Sequence, residues 1–256
     1  MKKLQLYIES FFNLDAIKID WKITGTVLFA AGCLILAEYF DSIYGIQHFF
    51  AIYFHKEINL YNLLPVPSRP VFQNLLVWGI NCVITFLLLP VVFIKIILRE
   101  KLSNFGLNLH LEKRFILLYT IMFLVMIPVL IYLSYTAAFL EKYPFFKIQS
   151  KAELPLFLKW EIIYILQFVG IEFFFRGLLI HAFKHKFGYY SILFSVIPYC
   201  MIHFGKPLPE TIGAIFAGLI LGFLSLNTGS IILGILLHCG IAVTMDFLAL
   251  GALFSQ

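Results

Sequence analysis

A glutamate and an arginine stand four residues apart inside an apolar stretch, Gln-Phe-Val-Gly-Ile-Glu-Phe-Phe-Phe-Arg-Gly-Leu-Leu-Ile-His, from Gln167 to His181. A charged side chain at the bilayer centre costs roughly 2.5–3.5 kcal/mol on insertion scales. Glu172 and Arg176 incur that cost twice within one turn, and their i,i+4 spacing lets them pair on one helix face. Two histidines, His203 and His238, lie in later apolar stretches. One carboxylate and two imidazoles can supply what peptide hydrolysis needs: a base for water, a donor for the oxyanion and an acid for the leaving amine. In that scheme Glu172 is the base and Arg176 orients it. His203 shares the water or carries protons, and His238 donates to the oxyanion. The same trio matches the ligand set of a catalytic zinc, although the chain has no His-Glu-x-x-His run. The metal and any other cofactor stay unassigned at this level.

Plainer readings compete with a site. Glu172 and Arg176 can form a structural ion pair between helices, and a lone histidine in an apolar helix is usually a packing residue. Four such residues confined to the last hundred positions favour a shared site, with all four facing one interior cavity, because that spares them from lipid. Asp246 lies eight residues after His238, two helical turns on and broadly on the same side, placed to orient a histidine or to bond a helix end. His181 and His185, beside Lys184 and Lys186, read as interfacial. The cysteines Cys33, Cys82, Cys200 and Cys239 all sit in apolar runs without Cys-x-x-Cys spacing and read as packing residues.

The elements that must position these groups are membrane spans. Of the 256 residues 61% are hydrophobic and only 13% charged, against about 45–50% and 25% in a soluble domain. The expected fold is therefore all-α, a polytopic transmembrane bundle of about seven to eight helices. The net charge of +5 suits cytoplasmic loops against anionic lipid, with no nucleic-acid partner. Apolar runs long enough for about 30 Å of hydrocarbon cover Ile23–Phe40, Leu75–Leu98, Phe115–Ala138, Leu156–Phe183, Thr211–Leu226 and Ile231–Leu253. Tyr190–His203 is shorter, about 21 Å at helical rise. The prolines of Phe204-Gly-Lys-Pro-Leu-Pro209 break the helix after it. That turn is expected at membrane depth beside a wet cavity, with His203 facing it. Tyr44–Phe54 reads as an interfacial helix. Residues 1–22 form an N-terminal interfacial segment with no cleavable leader, so the first span acts as an anchor. With the N-terminus inside, 11 Lys and Arg fall on the inner side and 7 on the outer, Arg176 aside, which favours a cytoplasmic N-terminus.

Four segments resemble the motifs of the CPBP family, intramembrane proteases related to type II CAAX prenyl endopeptidases and to bacteriocin-processing proteins. They are Ile-Glu-Phe-Phe-Phe-Arg-Gly at 171–177, Tyr-Cys-Met-Ile-His-Phe-Gly-Lys-Pro at 199–207, Gly218–Gly222, and Leu-His-Cys-Gly-Ile-Ala-Val-Thr-Met-Asp at 237–246. The resemblance covers about residues 155–250. It implies a CPBP-like core of catalytic helices over 151–256 behind a family-variable transmembrane region over 23–150. It also implies a catalytic set of Glu172, His203 and His238, supported by Arg176, Tyr199 and Asp246. The departures are specific. The family usually has two adjacent glutamates before the arginine, and the first, commonly the catalytic one, is Ile171 here. Tyr199 replaces the usual Phe and adds a hydroxyl, and Ala242 replaces an Asn that donates to the oxyanion. A bacterial subgroup is similar in having a single Glu before three Phe and Met-Asp after the last His, which points to a bacterial cell membrane. There Glu172 is the active carboxylate and Asp246 substitutes for part of the lost Asn. The expected function is an intramembrane endopeptidase acting on a membrane-embedded or lipidated peptide. A non-catalytic membrane partner that binds another protein or a lipid is the principal alternative, followed by a small transporter with a polar relay.

Overall fold

A computed structural model of the chain describes residue 7 and residues 19–62, 70–109 and 112–254. Most of the interfacial segment expected over residues 1–22 lies outside them. Among the described residues every regular element is a helix. Helix α1, Trp21–Tyr39, starts at Asp20, whose carboxylate accepts from the Lys22 and Ile23 amides, satisfying donors that an N-terminus leaves free. Ser42 caps α2, Ile43–Phe54, in the same way. The long α3, Pro70–Leu98, widens into π turns at Ile84–Leu88 and Phe93–Leu98. Pro90 lies between them and withholds an amide from the ladder. Next come α4, Lys113–Ser134, and α5, Ala137–Lys142. Then follow α6, Lys151–Phe187, α7, Tyr190–Met201, α8, Leu208–Thr228, and α9, Ile232–Phe254.

Polar contacts sort the helix ends into two faces. At one, Lys22 Nζ is 2.7 Å from Glu100 Oε1, His185 Nε2 is 2.9 Å from Asp20 Oδ2, and the Ile231 amide donates to the Gly106 carbonyl. At the other, Lys142 Nζ donates to the Gly205 carbonyl at 3.2 Å and Tyr143 Oη to Glu210 Oε2 at 2.6 Å. The six long apolar helices alternate between these faces, giving a multi-span membrane bundle. The bounds differ locally from expectation. The third span closes at Ser134 because Thr136 caps a separate short helix. The short α7 stops at Met201, so His203 sits in the turn beyond it. Its 12 residues rise about 18 Å, short of about 30 Å of hydrocarbon, and the turn after it meets α5 through the Lys142–Gly205 bond.

The core sits on α6. Within its most apolar window 72% of residues are buried, against 11% for α4 and 17% for α1. The outer helices present Leu117, Leu124, Val125, Ile35 and Leu28 outward, a surface that hydrocarbon solvates and water does not. The helix carrying Glu172 and Arg176 is thus the one most shielded from lipid.

Candidate active site

Helix α6 opens into a π segment at Phe173–Leu179, immediately after Glu172 and around Arg176. Such bulges are concentrated at functional sites, because one extra residue per turn re-aims the side chains that follow. Neighbouring helices pin the widened turn. Ser195 Oγ of α7 donates to the Phe175 carbonyl at 2.7 Å, and Ser225 Oγ of α8 donates to the Arg176 carbonyl at 3.2 Å. Gly177 is required here, since a Cβ would lie 2.8 Å from the Phe105 carbonyl oxygen. Only glycine lets α6 close against the 3-10 turn Leu102–Phe105.

Glu172 is fully buried. His238 Nδ1 lies 2.7 Å from Glu172 Oε1, and Arg176 Nη1 lies 3.3 Å from the same oxygen. An ionised carboxylate only accepts, so His238 carries its proton on Nδ1 and leaves Nε2 with a lone pair. Glu172 Oε2 has no hydrogen-bond partner among the described residues and faces Gly234, where an added Cβ would approach to 3.3 Å. Gly234 thereby gives α9 room to pack against the carboxylate. The Arg176 guanidinium lies 3.7 Å over the Tyr199 ring, a cation–π contact that offsets part of its desolvation. Phe168 packs on His238 with ring centroids 4.4 Å apart. The result is an ion pair and an imidazole in an aromatic shell.

His203 is held by a different acceptor. Its Nδ1 donates to the Tyr199 carbonyl at 2.9 Å, and a carbonyl accepts only, so its Nε2 also bears the lone pair. His203 lines a cavity of about 500 Å³ between α1, α3, α6 and α7, with Ile171 and Phe168 in the same wall. Glu172, Arg176 and His238 do not line this cavity. Tyr199 joins the two groups, its ring centred 4.7 Å from the His203 imidazole and 6.4 Å from that of His238. Within the carboxylate group, 14% of the His238 side chain is exposed against 1% for Glu172.

Two residues are placed differently from their sequence reading. Asp246 is buried beside Glu161 and Trp160 of α6 and reaches neither a histidine nor a helix end, because α9 turns that face towards the early part of α6. His181 is buried and not interfacial. One turn after Gly177 it shares the face packed on α8, where Nε2 meets Ser225 Oγ at 3.1 Å and Nδ1 meets Lys184 Nζ at 2.9 Å. His185 bonds Asp20 near the surface. Cys33 and Cys82 are buried, while Cys200 and Cys239 are partly exposed. Ser195, Ser225 and Gly234 escaped the sequence reading, since nothing in the type or spacing of a lone serine or glycine marks its partner. Among the described residues no group of three or more His, Cys, Asp or Glu side chains is placed to hold a metal ion.

No curated protein and no solved structure matches the chain. One family model does, and its span from residue 153 to 244 contains Glu172, Arg176, His203 and His238. The chain contains a type II CAAX prenyl endopeptidase Rce1-like domain over residues 153–244.

Proposed function

We propose that the protein is an intramembrane endopeptidase that hydrolyses a peptide bond in a membrane-anchored or lipidated substrate within a bacterial cell membrane. The Rce1-like domain supports a membrane protease role in general. The observation that carries the finer reading is the matched tethering of two imidazoles by Nδ1, one to Glu172 and one to the Tyr199 carbonyl. Each is left with an unprotonated Nε2. Water attacks the scissile carbonyl carbon as one Nε2 takes its proton. The C–N bond then breaks, and the imidazolium returns that proton to the leaving amine. His238 and His203 are the groups that touch water and substrate. Glu172 acts through His238, fixing its tautomer and stabilising the imidazolium, as an orienting carboxylate does in hydrolytic triads. Arg176 holds Glu172 in place. This assigns Glu172 a positioning role in place of the base expected from sequence, because its oxygens are buried behind His238. The test compares newly formed N-termini in membranes of cells carrying the parent, His203→Ala or His238→Ala at matched protein levels. Each variant is expected to lose the same set of termini, and retention of those termini in both would overturn the reading.

A second reading has its own support. Ile171 lines the cavity with His203, at the position where the family usually has its first glutamate, and Ala242 is buried and apolar. A non-catalytic partner that uses the cavity for binding predicts that only deletion of the whole protein, and neither histidine variant, has a phenotype.

A further inference from the structure

The cavity beside His203 has a polar make-up that hydrolysis does not use. Gln167 of α6 lines it, buried to 2% exposure, and its Oε1 has no hydrogen-bond partner among the described residues. Its Nε2 has only the Cys82 sulfur at 3.3 Å, a weak acceptor. A buried carboxamide left this way forgoes about 1–3 kcal/mol, which a ligand N–H placed against Oε1 would recover. At the mouth, Glu38 in the last turn of α1 and Asp41 just beyond it are exposed and take neither a hydrogen bond nor an ion pair among the described residues. The cation at that rim, Lys206, is paired with Glu210 at 2.7 Å. The rim therefore offers two uncompensated carboxylates above walls of Trp78, Phe86, Phe168 and Ile171.

We infer that this cavity binds an extended peptide whose apolar segment enters between α1, α3 and α6, with one backbone N–H on Gln167 Oε1 and a lysine or arginine at the rim between Glu38 and Asp41. The inference rests on the endopeptidase reading only for placing the scissile bond near His203; the binding itself does not depend on it. The unpartnered carbonyl inside calls for an N–H donor, and the free carboxylates outside call for a cation. A membrane-anchored chain with a basic residue flanking its apolar stretch presents both at fixed separation.

The experiment uses the full chain carrying His203→Ala, reconstituted in phosphatidylglycerol vesicles, so that binding is read without turnover. The probes are fluorescent peptides with one apolar segment flanked by either Arg or Glu. The Arg peptide is expected to bind at least tenfold more tightly. Glu38→Lys with Asp41→Lys is expected to erase or invert that preference, Glu38→Gln with Asp41→Asn to reduce it, and Gln167→Leu to weaken both peptides alike. Equal binding of the two peptides, or a preference untouched by charge reversal, overturns the inference. Displacement of the peptide by phosphatidylethanolamine would assign the rim to a lipid amine and also overturn it. The endopeptidase reading fails separately, through the N-terminal comparison, and leaves these binding results standing.

Discussion

His238 donates to a buried carboxylate among aromatic side chains, whereas His203 donates to a backbone carbonyl beside a cavity of about 500 Å³. Both bonds fix the same tautomer, but they do so at different cost. The His238 assembly includes a buried carboxylate and a guanidinium, each expensive to desolvate and tolerable only because the other is present. The His203 assembly uses a carbonyl that the end of α7 leaves free in any case. Stability and chemistry are therefore divided unequally. In the proposed function the carboxylate region holds the bundle and one imidazole in register, and the cavity region admits the ligand.

The largest expected effect breaks the carboxylate region. Arg176→Ala leaves Glu172 buried against a neutral imidazole and is expected to cost about 3–5 kcal/mol, read as thermal unfolding in detergent. Arg176→Lys should recover only part, because an ammonium offers neither the planar fork nor the stacking on Tyr199. An alanine variant that melts with the parent would show that the two regions do not differ in this way.

Next in size is Glu172→Gln, which keeps volume while removing the charge. The protein should still assemble, and turnover should fall by about two orders of magnitude or more, as when a histidine loses its orienting carboxylate. His203→Ala should lose turnover similarly while moving stability by less than about 1 kcal/mol, since its bond goes to a carbonyl at a cavity wall. A large loss of stability with His203→Ala would erase the contrast. Gly234→Ala sharpens it by placing a methyl 3.3 Å from Glu172 Oε2. That crowding is expected to cost about 1–3 kcal/mol and to weaken the His238 bond, visible as a shifted pH profile of cleavage with the cavity-side peptide affinity unchanged.

The smallest effect sets a baseline at the surface. Partial burial works to raise the Asp20 pKa, but its bonds to His185 and to the Ile23 and Lys22 amides outweigh this and hold it below the ordinary carboxylate value. A folded-state value lowered in this way contributes stability above the unfolded carboxylate pKa and loses it as pH falls through the folded one. With both side chains partly exposed, Asp20→Asn should cost under about 1 kcal/mol at neutral pH, and the difference should vanish in acid. A cost matching that of Arg176→Ala would mean that burial does not set the scale.

Composition alone determined that the chain spans a membrane, because such an excess of apolar residues has no other stable solvent. Run lengths gave the long helices to within a few residues, for the same reason that bilayer thickness gives the rise. The cost of charge in hydrocarbon singled out Glu172, Arg176, His203 and His238 before any contact was known. Periodicity, however, says which face of a helix a residue occupies and not which helix covers that face. Asp246 shares α9 with His238 yet meets Glu161, and His181 is buried on α8 despite its lysine neighbours. The π turn after Glu172, the serines that pin it, the tautomers of the two histidines and the separation of Ile171 from Glu172 across a cavity wall all depend on contacts between distant segments. Only the tertiary structure decided those, because each is set by the partner that packing supplies.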